Sequence, residues 1–291
     1  MLVGLCKVAA LAVPLLWMTV AHAGEVCSAL SEQISQQENI YRSSGPETVD
    51  GYTVDRPLTH YTDGLASGFD QALARLGPTD RWLDIGAGEG RAILDYYMPR
   101  AEGTLAETLK RRGAKAQAVA ISIEDRRTPR WQQTAARLEA DRIQYLFGKR
   151  FREYSSQELH RFQLISDVMG GFSYTDDLSR FMEKVLGALE VNGTYFTVLQ
   201  DVRREDGKNL PFYAGAPFLT GILDTEGYEL KVCSWLKRIT CAAVTCESRE
   251  WQPPTEAYRI TKTCDQVTVP ALVPVHYEAG TPPERRFQAK K

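Results

Sequence analysis

Several things are scarce or missing in this chain of 291 residues. No apolar run approaches 18 residues, so nothing reads as an ordinary membrane span. Net charge is only −2, which excludes a dedicated nucleic-acid binder, normally strongly basic. There are four histidines, and none lies near the cysteine cluster at Cys233, Cys241, Cys246 and Cys264. Those cysteines are spaced C-x7-C, C-x4-C and C-x17-C, without the paired C-x-x-C of a zinc site, so no metal is expected. No Ser-His-Asp set and no internal repeat is visible. What remains is an ordinary globular composition, 43% hydrophobic and 25% charged, sufficient for one large domain.

The N-terminus departs from that composition. Lys7 is the only charge in residues 1–23, followed by "VAALAVPLLWMTV" and then "AHA" before Gly24. A positive start, a short apolar stretch and an A-x-A site form a secretory signal, with cleavage after Ala23. The expected location is therefore periplasmic or secreted, with no membrane span after cleavage. Translation from Met18 would instead give a cytoplasmic chain. In an exported chain the clustered cysteines read as one or two disulfides, with Cys233–Cys264 preferred on the view that both lie on neighbouring strands.

Residues 24–58 form a polar segment, 59–266 a single domain, and 267–291 a proline-rich tail expected to be extended or flexible. Helical spacing of Leu65, Phe69, Ala72, Leu73 and Leu76 predicts one helix over 61–76. Strands follow at 80–85, 116–123, 143–147, 162–168 and 194–200, with helices between them. The helix after Thr175-Asp176-Asp177 is patterned by Leu178, Phe181, Met182, Val185, Leu186 and Leu189. Alternation of this kind predicts an α/β fold with a mainly parallel sheet. A helix near 215–225 and antiparallel strands in "YELKVCSW", "ITCAAVTC" and "YRITKTC" complete the reading.

The most informative stretch is "RWLDIGAGEG", 81–90, where a strand ends in Asp84 and Gly86, Gly88 and Gly90 follow at every second position. Glycines there let backbone N–H groups approach a ligand. A dinucleotide fingerprint would read G-x-G-x-x-G, one residue longer, which disfavours an NAD-dependent oxidoreductase. A carboxylate beside the turn suits a cationic ligand better than a pyrophosphate.

"LDIGAGEG" resembles the first motif of the class I S-adenosylmethionine-dependent methyltransferases, an acidic residue followed by G-x-G-x-G. The resemblance covers about residues 60–265 by element order. It implies a Rossmann-like seven-stranded sheet with an antiparallel C-terminal strand, which "YRITKTC" would supply. It also implies S-adenosylmethionine as cofactor, held by Asp84, Gly86, Ala87, Gly88 and Gly90, with Ser122 or Glu124 at the end of the second strand on the ribose. After the third strand the family often has an acid near the adenine; here "FGKRF" carries Lys149 and Arg150 instead. At the end of the fourth strand Asp167 is the candidate catalytic acid, Gly170 and Gly171 would let the backbone approach the methyl, and Phe172 and Tyr174 form either an acceptor wall or ordinary core. His60-Tyr61 reads as a packed or solvated pair. The implied activity is methyl transfer to an unknown acceptor, small molecule or protein; the alternative is an exported, inactive binding protein of the same fold.

Overall fold

The computed structural model describes residues 55–99, 104–139, 141–200, 218–249, 255–278 and 284–291, all within one compact unit. The expected signal, the polar segment up to residue 54, Met18 and Cys27 lie outside the described residues.

The chain alternates helix and strand as the apolar periodicity requires. After α1 (Leu58–Gly64) and α2 (Phe69–Arg75) come β1 (Arg81–Ile85), α3 (Arg91–Tyr97), α4 (Thr104–Arg112) and β2 (Gln117–Ile121). Then follow α5 (Pro129–Ala135), β3 (Ile143–Leu146), α6 (Ser156–Leu159), β4 (Phe162–Asp167), α7 (Gly171–Tyr174), α8 (Leu178–Ala188) and β5 (Leu189–Gln200). The C-terminal part holds β6 (Phe218–Leu223), β7 (Glu229–Leu230), α9 (Val232–Leu236), β8 (Ala242–Arg249), β9 (Thr255–Lys262), β10 (Leu272–Glu278) and β11 (Glu284–Ala289).

Seven strands form one sheet in the order β3-β2-β1-β4-β5-β9-β8. β1 to β5 are parallel, and β9 runs against both of its neighbours. The central strands are buried on both faces, so Trp82, Leu83, Val119, Ala120, Leu164 and Ile165 need no polar alternation. α8 covers one face, its Leu178, Phe181, Met182, Val185 and Leu186 all in the main core as the periodicity predicts, whereas Leu189, expected on the same helix, begins β5 instead. Local start signals hold as well: Thr128 caps α5 by accepting from Trp131 N, with Pro129 at the first helical position.

Several expectations are corrected. The single helix over 61–76 is two helices, because Gly68 adopts φ +94° and begins α2 from a left-handed position. The helix expected near 215–225 is instead strand β6, paired in parallel with β11. "YELKVCSW" is not a strand beyond Glu229–Leu230: Val232, Trp235 and Leu236 recur at helical spacing, and α9 buries all three. The tail after 267 carries β10 and β11, which join β6 and β7 in a second sheet ordered β10-β11-β6-β7. Leu272, Phe287 and Ala289 of that tail pack into the main core.

The cysteines form two bridges, Cys233–Cys246 with Cα atoms 6.1 Å apart and Cys241–Cys264 at 5.0 Å. The preferred Cys233–Cys264 pairing is thus replaced. Cys233 lies on α9, packed over β8 and its Cys246. Cys241 and Cys264 meet where β8 and β9 pair Ala242 with Lys262.

Candidate functional site

The sheet reverses direction of winding between β1 and β4: β2 and β3 lie to one side, β4 and β5 to the other. Outside the carboxyl ends of the strands at such a point an open α/β sheet leaves a crevice. The glycine turn is placed there. Gly86, Gly88 and Gly90 all have left-handed backbones, with φ of 72°, 55° and 72°. The N–H groups of Gly86 and Ala87 donate to the carbonyl of Ile121 at 2.9 and 3.0 Å, which pins the turn to β2. Among the described residues nothing accepts from the N–H of Gly88 or Glu89.

Two of the three glycines also serve close packing. A Cβ on Gly86 would stand 2.8 Å from the Cα of Gly170, and one on Gly90 would stand 2.4 Å from the indole of Trp131. Trp131 packs edge-on against Tyr145, whose hydroxyl donates to the carbonyl of Gly88. The turn is therefore clamped by β3 and α5 as well as by β2.

Asp84 is fully buried and does not point into open space. It accepts from Tyr61 Oη at 2.8 Å and Ser166 Oγ at 2.7 Å, and Ser166 in turn accepts from Trp82 Nε1 at 2.9 Å. Burial pushes its carboxyl up to about 7, against the opposing pull of the Ser166 and Tyr61 hydrogen bonds. Tyr61, read from the sequence as a packed or solvated pair with His60, is thus part of the site's foundation. The signal available for it was its helical register with Leu58 and Leu65, which turns it inward.

Asp167, the expected catalytic acid, is also fully buried. It accepts from the N–H groups of Gly170 at 2.7 Å and Phe172 at 2.8 Å, and from Tyr195 Oη at 3.2 Å. Both oxygens are engaged in holding the loop after β4. Burial raises its carboxyl to about 6. Arg56, only 9% exposed, is the cation that electrostatically favours the charged form of both acids. Phe172 is core, packed against Phe181 and Tyr258, and is no acceptor wall; Tyr174 is buried too.

Ser122 immediately follows β2, its N–H bonded to Leu146 O at 3.1 Å. Glu124 lies two residues further on, half-buried, and pairs with Arg126 at 2.8 Å. Both stand at the carboxyl edge of the sheet beside the glycine turn. Beyond β3, Phe147 is 44% exposed with Arg127 stacked over its ring at 4.9 Å, and Lys149 pairs with Glu158 at 2.6 Å.

Strand order, the single reversed strand and the glycine turn at the winding reversal coincide. The fold is that of the class I methyltransferases. No known family model and no curated protein matches the chain. Solved structures similar to it include an rRNA methylase of Streptococcus thermophilus, 13% identical, with 73% of this chain and 100% of that one covered and a TM-score of 0.41. An N-methyltransferase of Bradyrhizobium japonicum is 11% identical over 67% of this chain and 92% of its own, TM-score 0.38. A precorrin-6y C5,15-methyltransferase of Geobacter metallireducens is 13% identical over 67% and 85%, TM-score 0.36. Among the described residues no helix is long and apolar enough to cross a membrane.

Proposed function

We propose that the chain is an S-adenosylmethionine-dependent methyltransferase. The observation that carries this reading is the position of an ungapped Asp-x-Gly-x-Gly-x-Gly turn at the β1/β4 winding reversal, where α/β sheets bind their ligands. Backbone groups of Gly86 to Gly90 would line the methionine portion of the cofactor, and Ser122 and Glu124, just beyond β2, would take its ribose hydroxyls. The cofactor supplies the transferable methyl group on its sulfonium. The chain's own part is to hold and align. Tyr61 and Ser166 hold Asp84 beneath the turn by hydrogen bonds, and Asp167 holds the loop of Gly170 and Gly171 opposite it. Such fixing keeps reacting groups aligned without reorganisation during transfer.

A second reading is a binding protein of the same fold without turnover. It is favoured by the full commitment of Asp167, both of whose oxygens accept hydrogen bonds within the fold. Two disulfides fit an oxidising compartment, as the expected export signal does, and a chain exported there would meet little cofactor. Incubation with methyl-labelled S-adenosylmethionine and a panel of amines, phenols and proteins separates the readings. Label on an acceptor supports the enzyme. Cofactor binding without transfer to any acceptor supports the binding protein.

A further inference from the structure

The Cys233–Cys246 bridge has a third neighbour that its cysteine spacing does not reveal. Sγ of Cys233, Sγ of Cys246 and a carboxylate oxygen of Glu256 lie within 4.8 Å of one another, all three residues half-buried. The sheet register explains the meeting. β8 and β9 pair Cys246 with Tyr258 and Ser248 with Glu256, so Cys246 and Glu256 are diagonal neighbours on one face. α9 brings Cys233 to the same place. The phenol of the buried Tyr258 donates to Glu256 Oε2 at 2.7 Å and aims the carboxylate. Among the described residues the second bridge, Cys241–Cys264, has no comparable third ligand.

We propose that reduction of the Cys233–Cys246 disulfide converts it into a site for a zinc-class divalent ion, ligated by both thiolates and Glu256. The two states exclude each other, because each sulfur is either bonded to its partner or free for a metal. A dithiol reductant supplies two electrons and two protons by exchange and is itself oxidised to a disulfide, leaving two thiols here. The ion then displaces both thiol protons, since the thiolate is the ligand. Two sulfurs on one tetrahedral zinc stand about 3.8 Å apart, given a Zn–S distance of about 2.3 Å. That separation lies within the spread of the three ligand atoms. Solvent takes the fourth position, and the Tyr258 hydrogen bond orients Glu256 as second partners of metal ligands commonly do. The chain would thus carry a disulfide in an oxidising compartment and a metal in a reducing one, which also bears on where it is made and where it works.

The test uses the full chain and cobalt(II) as spectroscopic probe, with zinc as competitor. A Cys241→Ser/Cys264→Ser variant isolates the relevant pair. After phosphine reduction it should bind one ion with thiolate-to-cobalt charge-transfer absorption, which zinc abolishes and magnesium does not. The oxidised form should bind none. Tyr258→Phe, which keeps the ring, should weaken binding by about 10–100-fold, and Cys233→Ser/Cys246→Ser should abolish it. A reduced chain that stays folded and takes up neither ion overturns the proposal. A reduced chain that unfolds despite added zinc overturns it as well, since a metal bound there would hold α9 to the sheet.

Discussion

Asp84→Asn should change the pH dependence of stability more than the stability itself. In the folded chain burial raises this carboxyl from the ordinary 3.8 to about 7. Between those values the native state keeps the proton and the unfolded chain has lost it. Stability therefore falls as pH rises, by about 1.4 kcal/mol per pH unit. The favourable contribution is full below pH 3.8 and is lost as pH climbs through about 7, a total of about 4 kcal/mol. Asparagine cannot titrate, so the variant loses this dependence. Any altered hydrogen bonding to Tyr61 and Ser166 gives an offset that does not vary with pH. Asp167 titrates in both proteins and drops out of the difference to first order. Urea unfolding of both chains at intervals from pH 4 to 8 reads the effect. Wild type should lose about 4 kcal/mol relative to the variant across that range. Parallel stability curves would refute the burial argument for Asp84.

Gly90→Ala should cost about 1–3 kcal/mol, because the new Cβ meets Trp131 at 2.4 Å on a left-handed backbone; an unfolding free energy within about 0.5 kcal/mol of wild type would contradict it. Asp167→Asn leaves one oxygen for three donors and should cost about 1–3 kcal/mol even without ligand; an unchanged transition would remove its positioning role. Peptide mapping without reductant should recover Cys233 with Cys246 and Cys241 with Cys264, and loss of the first bridge should lower stability by about 2–4 kcal/mol. Recovery of a Cys233–Cys264 peptide would contradict the placement of α9.

The parts legible from sequence were those in which local and global signals agree. Four of the five parallel strands are short apolar runs bounded by turn residues, while β5 also takes in Leu189 and the Asn192-Gly193 pair ahead of its expected start at 194; α8 repeats its apolar positions over three turns. The glycine turn is readable because only a special backbone needs three glycines in alternate positions. Where one signal had to outweigh another, the reading failed. "KVCSW" can alternate as a strand or repeat as a helix, and only burial of Val232, Trp235 and Leu236 decides it. β6 depends on β11, some sixty residues later, and no local pattern announces that pairing. The site follows the same rule. The turn and the end of β4 could be read, but the inward fate of Asp84 and Asp167 could not. It depends on Tyr61, Ser166 and Tyr195, which reach them from distant segments. Glu256 escaped notice for the same reason: its nearness to two cysteines is a product of strand register, not of spacing along the chain.

The most direct test of the central claim is a calorimetric titration of the folded chain with S-adenosylhomocysteine, and in parallel with NAD. The account predicts saturable heat with one equivalent of S-adenosylhomocysteine and none with NAD. Heat with NAD alone, or none with S-adenosylhomocysteine at millimolar concentration, would contradict it.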